Sequence, residues 1–553
     1  MWVLAVIVAW CWAALYLGSA RRQAGELGFP LDDAWIHARI ATNLRDGAGL
    51  TFNPGEKSAA SSAPLWSMLL ALPESLGIPF PWAAYLIGLG ATAILAWFGF
   101  VWLRRATGDR AAALAASLLL VSTHPFPWSA VSGMEPPLAA VLVIAVAVSA
   151  PGRAPLRCLS LAAAAALVRP ELILLPAVIL ADYLLKARPL KTRSIAPVAI
   201  GTLAASIAPL LFTRLFSGTY LPGSFRAKVG HHGIIAALME HRPDQIMAVL
   251  ASNLPSFVPE FLHAVARDNL PLLLLAPLGF RRLARGASGS HLPWLLFVVQ
   301  PCAMAVLAPF GGPEFHEQRY VAPLVAVALA AGCAALPGLP GWSRSATLRY
   351  GGVLCLLGVS AAGAARGMTR YGLEVKNITE MQVSVGRWLA ARGTSLSLVA
   401  TNDIGAIGFI TRAPILDLTG LATPEIIPYL RRPASPGRRN RGWNGANETA
   451  LLEFLRERRP DYVAIFPSWY PSPFFRAALG KVDFSVDLKD NLICGDSTMI
   501  VYRPSWVTRR AGSVLASAPD GRVVVDRAGG RLQAARVAGP DLAGGGDRAV
   551  PDY

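Results

Sequence analysis

Long apolar runs recur through the first two thirds of this chain and stop near residue 370. A helix rises about 1.5 Å per residue, so each run is long enough, or nearly long enough, to cross a hydrocarbon layer of about 30 Å. Only 15% of the residues are charged, whereas roughly a quarter are charged in an ordinary soluble protein. The pattern predicts a polytopic α-helical membrane protein with about eleven transmembrane helices. The predicted spans are 2–19, 81–103, 110–123, 136–150, 155–168, 171–186, 194–215, 269–280, 291–309, 320–338 and 348–366.

Positive charge is concentrated in the short loops between alternate apolar runs. With the N-terminus in the cytoplasm, five consecutive inside loops are basic, which is the pattern that orients membrane proteins. The basic residues of these loops are Arg104, Arg105, Arg110, Arg153, Arg157, Lys186, Arg188, Lys191, Arg193, Arg281, Arg282, Arg285, Arg344 and Arg349. Topology therefore accounts for the net charge of +17, and no nucleic-acid partner is needed to explain it.

The same topology sends several polar segments to the outer side. These segments are 20–80, 124–135, the corner at 169–171, 216–268 and 310–319. Residues 63–77 are apolar but precede Pro79 and Pro81, and a span there would invert every later loop. We therefore expect a helix that lies in the outer interface.

Composition divides the chain into three regions. Residues 1–368 form the predicted transmembrane domain, residues 369–505 an outward-facing α/β domain, and residues 506–553 a flexible tail rich in Gly, Ala and Arg. Within the outer domain, short strand-like stretches alternate with helical patterns near 377–391 and 447–458.

Four polar residues of the outer domain fall where predicted strands end: Asn402, Asp403, Asp417 and Thr419. Strand ends are where open α/β sheets bind ligands, so a long acceptor glycan is one interpretation. Turn formation is the other, because Asn-Asp and Asp-Leu-Thr-Gly are good loop sequences. Trp443, in the basic loop at 431–445, is a candidate for stacking on a sugar, and a solvated loop is its alternative.

Two adjacent carboxylates, Asp32 and Asp33, open a helical segment in the first outer loop. Acidic groups at a membrane rim are costly to desolvate, which makes them functional candidates. The alternative role is capping of a helix N-terminus. Of the two, Asp32 is the one expected to be free of capping.

Several motifs together resemble a known group of enzymes. They are DDAWIHARIATNL with FNPGE, SGMEPPL at 132–138, VRPE at 168–171, YLPGSFRAK at 220–228, HEQRYVAPL at 316–324 and ATNDIGAIGFITRAPILDLTGL at 400–421. In this order they resemble the bacterial GT-C glycosyltransferases, and specifically the branch with the mycobacterial terminal arabinofuranosyltransferases of the cell wall.

The resemblance implies a GT-C fold in the bacterial plasma membrane, with the active site and the C-terminal domain on the outer side. It implies a polyprenyl-phosphate sugar donor, with arabinofuranose as one candidate sugar, and an envelope glycan or glycolipid acceptor. It also implies an inverting reaction in which Asp32 or Asp33 is the general base, because a sugar hydroxyl needs a proton acceptor as the new bond forms.

A phosphate leaving group needs fixed cations near the outer rim. The candidates are Arg169, Arg226, Lys228 and Arg319. Their alternative role is contact with lipid head groups, to which basic side chains at helix ends are prone. Arg169 has a further alternative, which is to pair with Glu171 or Glu135 inside the helix bundle.

Two histidines and a carboxylate complete the candidate substrate contacts. His37 and His316 are candidates for hydrogen bonds to sugar or phosphate, and satisfied rim histidines are the alternative. Glu135 is a candidate acceptor contact, or a carboxylate stabilised at a helix N-terminus. A divalent ion held by Glu314 and Glu317 with Asp32 is compatible with some GT-C enzymes, but no metal-ligand spacing indicates it.

Two other classes of function remain as alternatives. A lipid-linked polysaccharide polymerase or ligase needs a large outer loop rich in Arg and His, which the outer segments match only in part. A transporter would show ionisable residues in mid-span and internal repeats, and neither is evident in the sequence.

Overall fold

The computed structural model describes residues 1–150, 155–186, 192–228, 234–239, 241–286, 289–307, 312–392, 398–430 and 447–507. The α-helices in chain order are α1 Trp2–Ala24, α2 Asp32–Arg45, α3 Pro64–Ser75, α4 Trp82–Thr107, α5 Arg110–Ser122, α6 Phe126–Val131, α7 Pro136–Ser149, α8 Pro155–Val168, α9 Leu175–Lys186, α10 Thr192–Ser217, α11 Gly223–Lys228, α12 Ile234–Met239, α13 Pro243–Arg285, α14 Leu292–Leu307, α15 Phe315–Gln318, α16 Ala322–Ala335, α17 Ala346–Ile378, α18 Ser384–Ala390, α19 Gly405–Thr411, α20 Glu448–Arg458 and α21 Pro473–Ala478. The strands are β1 Val399–Thr401, β2 Ile415–Asp417, β3 Tyr462–Ile465, β4 Lys481–Asp487 and β5 Thr498–Arg503.

The apolar runs of the sequence form helices, and a helix lies at each of the predicted spans. Within the described ranges, four helices are long and apolar enough to cross a membrane: α1, α4, residues 195–217 of α10, and the continuous helix at 346–390. Five further apolar helices are shorter, with 10–17 residues. The protein is therefore a multi-pass membrane protein, while the number of eleven crossings stays a prediction.

Large apolar side chains point outward from these helices. Ile7 and Trp10 on α1, Ile200 and Leu203 on α10, and Leu274 on α13 are all more than half exposed. Such a continuous apolar exterior is unfavourable in water and suits a lipid environment.

Close helix crossing depends on two glycines where α13 meets α16. A Cβ atom on Gly279 would lie 1.7 Å from the carbonyl oxygen of Ala331, and one on Gly332 would lie 2.6 Å from that of Leu272. Small residues let two backbones approach, and this is how helices pack tightly inside membranes. A larger side chain at either glycine would separate α13 from α16.

Two helices continue past the limits expected from sequence. α13 begins at Pro243, within the predicted outer segment 216–268, and bends at Asn269, which has non-helical φ −161° and ψ 61°. α17 passes through the expected boundary at 368/369 and continues through a π-helical turn, Thr379–Val383, into α18. The C-terminal domain, which keeps the name outer domain from its predicted side of the membrane, therefore begins on the extension of a membrane helix. α3 forms where residues 63–77 were expected to lie in the interface, and its twelve residues are too few to span a bilayer.

The outer domain is an α/β domain, as its sequence pattern predicts. Its sheet has the strand order β2-β1-β3-β5-β4. β1 runs parallel to both β2 and β3, and β5 runs antiparallel to β3 and β4. Helix α19 connects β1 to β2, and α20 precedes β3.

The polar residues at the strand ends make hydrogen bonds within the domain. The carboxylate of Asp417 accepts hydrogen bonds from the backbone N–H and the hydroxyl of Thr419, at 2.7 and 2.6 Å, and from the Ala422 N–H at 2.6 Å. Asn402 donates to the Tyr470 hydroxyl at 2.8 Å, and the Asp403 carboxylate accepts from Gln382 at 2.7 Å. The turn interpretation therefore accounts for Asp417 and Thr419, whereas Asn402 and Asp403 contact residues distant in the sequence.

Several expectations concern residues outside the described ranges. They include the cytoplasmic placement of Arg153, Arg188 and Lys191, the stacking role of Trp443, and the tail from residue 508 onward.

Candidate active site

An open cavity with about 1210 Å³ of empty space lies where α2, α14, the Arg-Pro-Glu corner and the turn before α16 meet. Its wall contains both charged and apolar side chains. The polar residues are Asp33, His37, Ser62, Glu135, Arg169, Glu171, Ser224, Gln300, Arg319 and Tyr320. The apolar residues are Ile36, Ala60, Met134, Pro170, Ile173, Leu174, Phe225, Ala303, Met304, Leu307 and Leu421.

Asp33 and Arg319 form an ion pair in the cavity wall. The Nη2 atom of Arg319 lies 2.7 Å from the Oδ2 atom of Asp33, whose side chain is 32% exposed. The same nitrogen donates to the Tyr320 hydroxyl at 2.9 Å. The Nε and Nη1 atoms of Arg319 are buried and have no hydrogen-bond partner among the described residues. The cavity wall therefore contains a partly exposed carboxylate beside a fixed cation, and two N–H groups of this cation have no partner among the described residues.

The expectation that Asp32 is the carboxylate free of capping is wrong. Asp32 is buried, and its two oxygens accept hydrogen bonds from the backbone N–H groups of Gly405 and Ala406, at 2.7 and 2.8 Å. It thus caps α19 of the outer domain, and it is not among the residues that line the cavity. Burial raises the pKa of Asp32, as does the nearby Asp403, and the two amide hydrogen bonds oppose this rise. Of the pair, Asp33 is the carboxylate that faces the cavity.

Arg169 forms the ion pairs that its alternative role requires. Its guanidinium group contacts both Glu135 and Glu171 at short distance. It also lies over the Tyr320 ring, with 4.5 Å from Cζ to the ring centroid. Because two carboxylates already balance its charge, Arg169 is less suited than Arg319 to receive an additional anion.

His37 lies behind Asp33 on α2 and lines the cavity. Its Nδ1 atom is 2.9 Å from the Ser67 hydroxyl, and its Nε2 atom is 3.7 Å from Oε2 of Glu135. Burial lowers the pKa of His37 from its usual 6.5, although Glu135 acts in the opposite direction. The ring is therefore neutral at pH 7 and can serve as a hydrogen-bonding group.

Two of the remaining sequence candidates, Arg226 and His316, are not among the residues that line the cavity. Arg226 follows the lining residues Ser224 and Phe225 without being one of them. His316 stacks on the ring of Phe315, with 3.7 Å between centroids, and also lies off the cavity. The side chain of Lys228 lies outside the described part of the structure.

The carboxylates expected to share a metal ion are apart in the fold. Glu317 pairs with His124 at 2.9 Å and Arg370 at 2.7 Å, and Glu314 pairs with His263 at 3.1 Å. Asp32 is engaged with α19, as described above. Across the described ranges, no group of three or more His, Cys, Asp or Glu side chains is arranged to hold a metal ion. The described contacts of Asp32, Glu314 and Glu317 are therefore with other partners, and a bound divalent ion stays a hypothesis.

Sequence reasoning missed some of the polar lining. Gln300 donates to the backbone oxygen of Glu171 at 2.5 Å. It is a single amide inside the apolar run of α14, and a lone polar residue in a predicted span is a usable signal. Tyr320 directly follows Arg319, Ser62 lies in the loop before α3, and Ser224 lies in α11.

Comparison with known proteins bears on the fold. Residues 376–515 match the model of a domain family of unknown function, DUF8728, and no curated protein matches the chain. Among solved structures, the chain is similar to ArnT from Cupriavidus metallidurans bound to undecaprenyl phosphate, with 13% identity and a TM-score of 0.54 over 90% of this chain and 97% of that chain. The apo state of ArnT gives 14% identity and a TM-score of 0.55 over the same shares.

A third similar structure is the oligosaccharyltransferase from Archaeoglobus fulgidus in complex with Zn and sulfate. It has 13% identity and a TM-score of 0.52, over 83% of this chain and 67% of that chain. ArnT and this enzyme both have the GT-C fold. The chain has the GT-C fold. At these identities the likeness concerns the fold alone, and the activity of a GT-C chain has to be argued from its own cavity.

Proposed function

We propose that this GT-C chain is an inverting glycosyltransferase. It moves a sugar from a polyprenyl-phosphate carrier to a hydroxyl group of an envelope glycan or glycolipid, at the outer face of the bacterial plasma membrane. The observation that carries the proposal is the Asp33–Arg319 pair in a cavity lined by both charged and apolar side chains.

Asp33 is the general base of the proposed reaction. The acceptor hydroxyl oxygen attacks the anomeric carbon while the bond from that carbon to the phosphate oxygen breaks. The hydroxyl proton passes to the Asp33 carboxylate, and the lipid phosphate leaves with the electron pair of the broken bond. A single displacement of this kind inverts the anomeric centre, and a partly exposed carboxylate in the cavity wall supplies the proton acceptor.

Arg319 stabilises the departing phosphate. Its guanidinium group lines the cavity and stays positively charged, and an arginine binds phosphate through charge-assisted hydrogen bonds. Charge accumulates on the phosphate as the bond breaks, so a buried cation fixed beside it favours the transition state over the ground state.

The apolar part of the wall suits the carrier lipid. Ile173 and Leu174 follow the Arg-Pro-Glu corner, and Ala303, Met304 and Leu307 lie on the last turns of α14. A polyprenyl phosphate likewise combines a charged head group with an apolar chain. The similar ArnT structure, which is bound to undecaprenyl phosphate, supports this choice of ligand class.

Arabinofuranose is the sugar that we propose first, because of the motif resemblance to terminal arabinofuranosyltransferases. Mannose, glucose and other hexoses are the alternatives.

A polymerase or ligase would transfer an entire lipid-linked oligosaccharide, and the length of the transferred glycan distinguishes it. Inclusion of EDTA in the assay measures whether transfer depends on a divalent ion.

The test uses the purified full chain in lipid nanodiscs. It is incubated with radiolabelled polyprenyl-phosphate arabinofuranose, mannose or glucose and with envelope glycan acceptors, and the product is analysed for size and anomeric configuration. We expect transfer of one sugar with inversion, together with release of an equal amount of polyprenyl phosphate. Retention of configuration, or no transfer from any lipid donor, would contradict the proposal.

A further inference from the structure

The first outer helix of the membrane domain holds the outer domain at the N-terminal end of α19. Both carboxylate oxygens of Asp32 accept amide hydrogen bonds there, from Gly405 at 2.7 Å and Ala406 at 2.8 Å. The two backbones are so close that a Cβ atom on Gly405 would lie 2.0 Å from the backbone oxygen of Asp32. Only glycine permits this approach.

A second contact holds the C-terminal end of α19. The Nη2 atom of Arg39 donates to the backbone oxygen of Arg412 at 3.1 Å, and its Nε atom donates to that of Phe52 at 3.3 Å. Burial lowers the pKa of Arg39 to about 10, which leaves its side chain charged at neutral pH. A carboxyl group thus accepts hydrogen bonds at the N-terminal end of α19, and a guanidinium cation contacts its C-terminal end.

The spacing of these contacts is matched in the two helices. Asp32 and Arg39 are seven residues apart on α2, as are Gly405 and Arg412 along α19 and its C-cap. Seven residues are about two helical turns, or about 10.5 Å. α2 and α19 therefore lie side by side and run in the same direction.

Aromatic packing fills the space between the two polar contacts. The rings of Trp35 on α2 and Phe409 on α19 have centroids 5.3 Å apart, and Phe80 contacts the same Phe409 ring at 5.9 Å. All three side chains are buried. Because of this packing, α2 cannot tilt relative to the outer domain without loss of buried apolar contact.

Asp33 is the next residue after Asp32 and points elsewhere. Consecutive side chains on a helix are about 100° apart, so one carboxylate of the pair docks on α19 while the other faces the cavity. Leu421, from the turn organised by Asp417, lines the same cavity. The outer domain thus contacts both the helix that carries Asp33 and the space beside it.

We infer that the outer α/β domain is a positioning part of the active site, and that Asp32 and Arg39 are the positioning residues through which it acts. The docked α19 fixes the first turn of α2, and this turn fixes Asp33 against Arg319. The inference rests on the proposed function for its activity readout, while the docking itself is measured without substrate.

The experiment compares Asp32→Asn, Gly405→Ala and their double variant in the full chain, with Asp46→Asn as the control. Asp46 is an exposed carboxylate at the other end of α2. Asp32→Asn places an amide where two N–H groups need acceptors, and Gly405→Ala disrupts the same contact from the outer domain. Amide hydrogen exchange of residues 402–412 reports docking, and initial rates give kcat and KM for the lipid donor.

We expect each single variant to lower kcat by about tenfold to about 100-fold, because small displacements of a reacting group have effects of this size. The donor KM should change by less than about threefold, since donor binding is not the step that is affected. Amide hydrogen exchange at 402–412 should rise. The double variant should transfer sugar no more slowly than the slower single variant, because the two substitutions remove the same contact. The control should behave as wild type.

Two outcomes would overturn the inference. If Asp32→Asn is inactive while Gly405→Ala raises exchange and retains the wild-type kcat, Asp32 is itself a reacting group. If both variants raise exchange and retain kcat, docking does not position Asp33.

Should Asp32→Asn fail to fold, Arg39→Lys tests the other end of α19 by the same readouts. If wild type transfers no sugar, the proposed function fails, while the exchange data still report whether Asp32 docks α19.

Discussion

The Nη2 atom of Arg319 lies 2.7 Å from the Oδ2 atom of Asp33. This contact joins the first outer helix to the turn that precedes α16, two segments far apart in the sequence. The turn has an unusual backbone, because His316, Glu317 and Gln318 have φ values of 49°, 57° and 62°. Three successive non-glycine residues in the left-handed region are costly, and such strain is concentrated at functional sites. Its effect here is to direct the Arg319 side chain into the cavity wall.

Arg319→Lys should lower kcat/KM for the lipid donor by about 100-fold to about 1,000-fold, the loss typical of one donor to a developing anion. Lysine keeps the positive charge but lacks the planar fork that binds phosphate at two points. Steady-state rates with labelled donor measure the effect. Arg387→Lys is the matched control, because Arg387 is about half exposed and pairs with Glu26 on the surface. Equal activity of the two variants would remove Arg319 from the site.

Ala303→Phe should weaken binding of donors with a long prenyl chain. Ala303 lies in the apolar part of the wall, and a phenyl ring there would occupy space proposed for the lipid. Its neighbour Cys302 is on the same turn of α14 but does not line the cavity. Cys302→Phe therefore controls for the effect of a larger side chain on this helix. KM is measured with long-chain and short-chain donors. The proposed lipid position is wrong if Ala303→Phe affects both donors equally.

Glu135→Ala should destabilise the fold by about 3–5 kcal/mol, because it removes one of the two carboxylates that pair with the buried Arg169 guanidinium group. Both side chains of this ion pair are nearly inaccessible. Glu26→Ala breaks the surface pair with Arg387 and should cost less than about 1 kcal/mol. Unfolding in mixed micelles measures both changes. A cost for Glu135→Ala no larger than that of Glu26→Ala would mean that the pair is not buried as described.

His37 should make stability depend on pH in the weakly acidic range. Burial lowers its folded-state pKa below 6.5, so as the pH falls the unfolded chain takes up the proton before the folded chain does. The free energy of unfolding therefore decreases as the pH falls from the unfolded-state pKa toward the folded-state pKa. Between about pH 7.5 and about pH 5, wild type should therefore lose more stability than His37→Gln, which cannot take up this proton. Thermal unfolding at the two pH values measures the difference. Equal losses would place His37 in a solvated environment.

The sequence was sufficient to locate the helices, because apolar runs and loop charges are local signals. It also indicated the α/β pattern of the outer domain. It was not sufficient for the limits of α13 and α17, because α13 continues through Pro255 and Pro259 and α17 continues past its apolar run. The order of the strands depends on long-range pairing, such as Thr401 with both Asp417 and Ala464, which has no local signal.

For the site, the sequence found Asp33, His37, Glu135, Arg169 and Arg319, which all line the cavity. It did not separate Asp32 from Asp33, because the difference comes from Gly405 and Ala406, more than 370 residues away. It overestimated His316, which stacks on Phe315 and is not among the residues that line the cavity. The apolar wall from α14 was missed because its residues are indistinguishable from other residues of a membrane span.

The most direct measurement is the rate of sugar transfer from a polyprenyl-phosphate donor by Asp33→Asn, with Asp46→Asn as the matched control. Loss of a general base should lower kcat by about 100-fold to about 10,000-fold, while the folded fraction and the donor KM stay close to wild type. The control should transfer sugar at the wild-type rate. Wild-type kcat in a folded Asp33→Asn protein would contradict the assignment of Asp33 as the base.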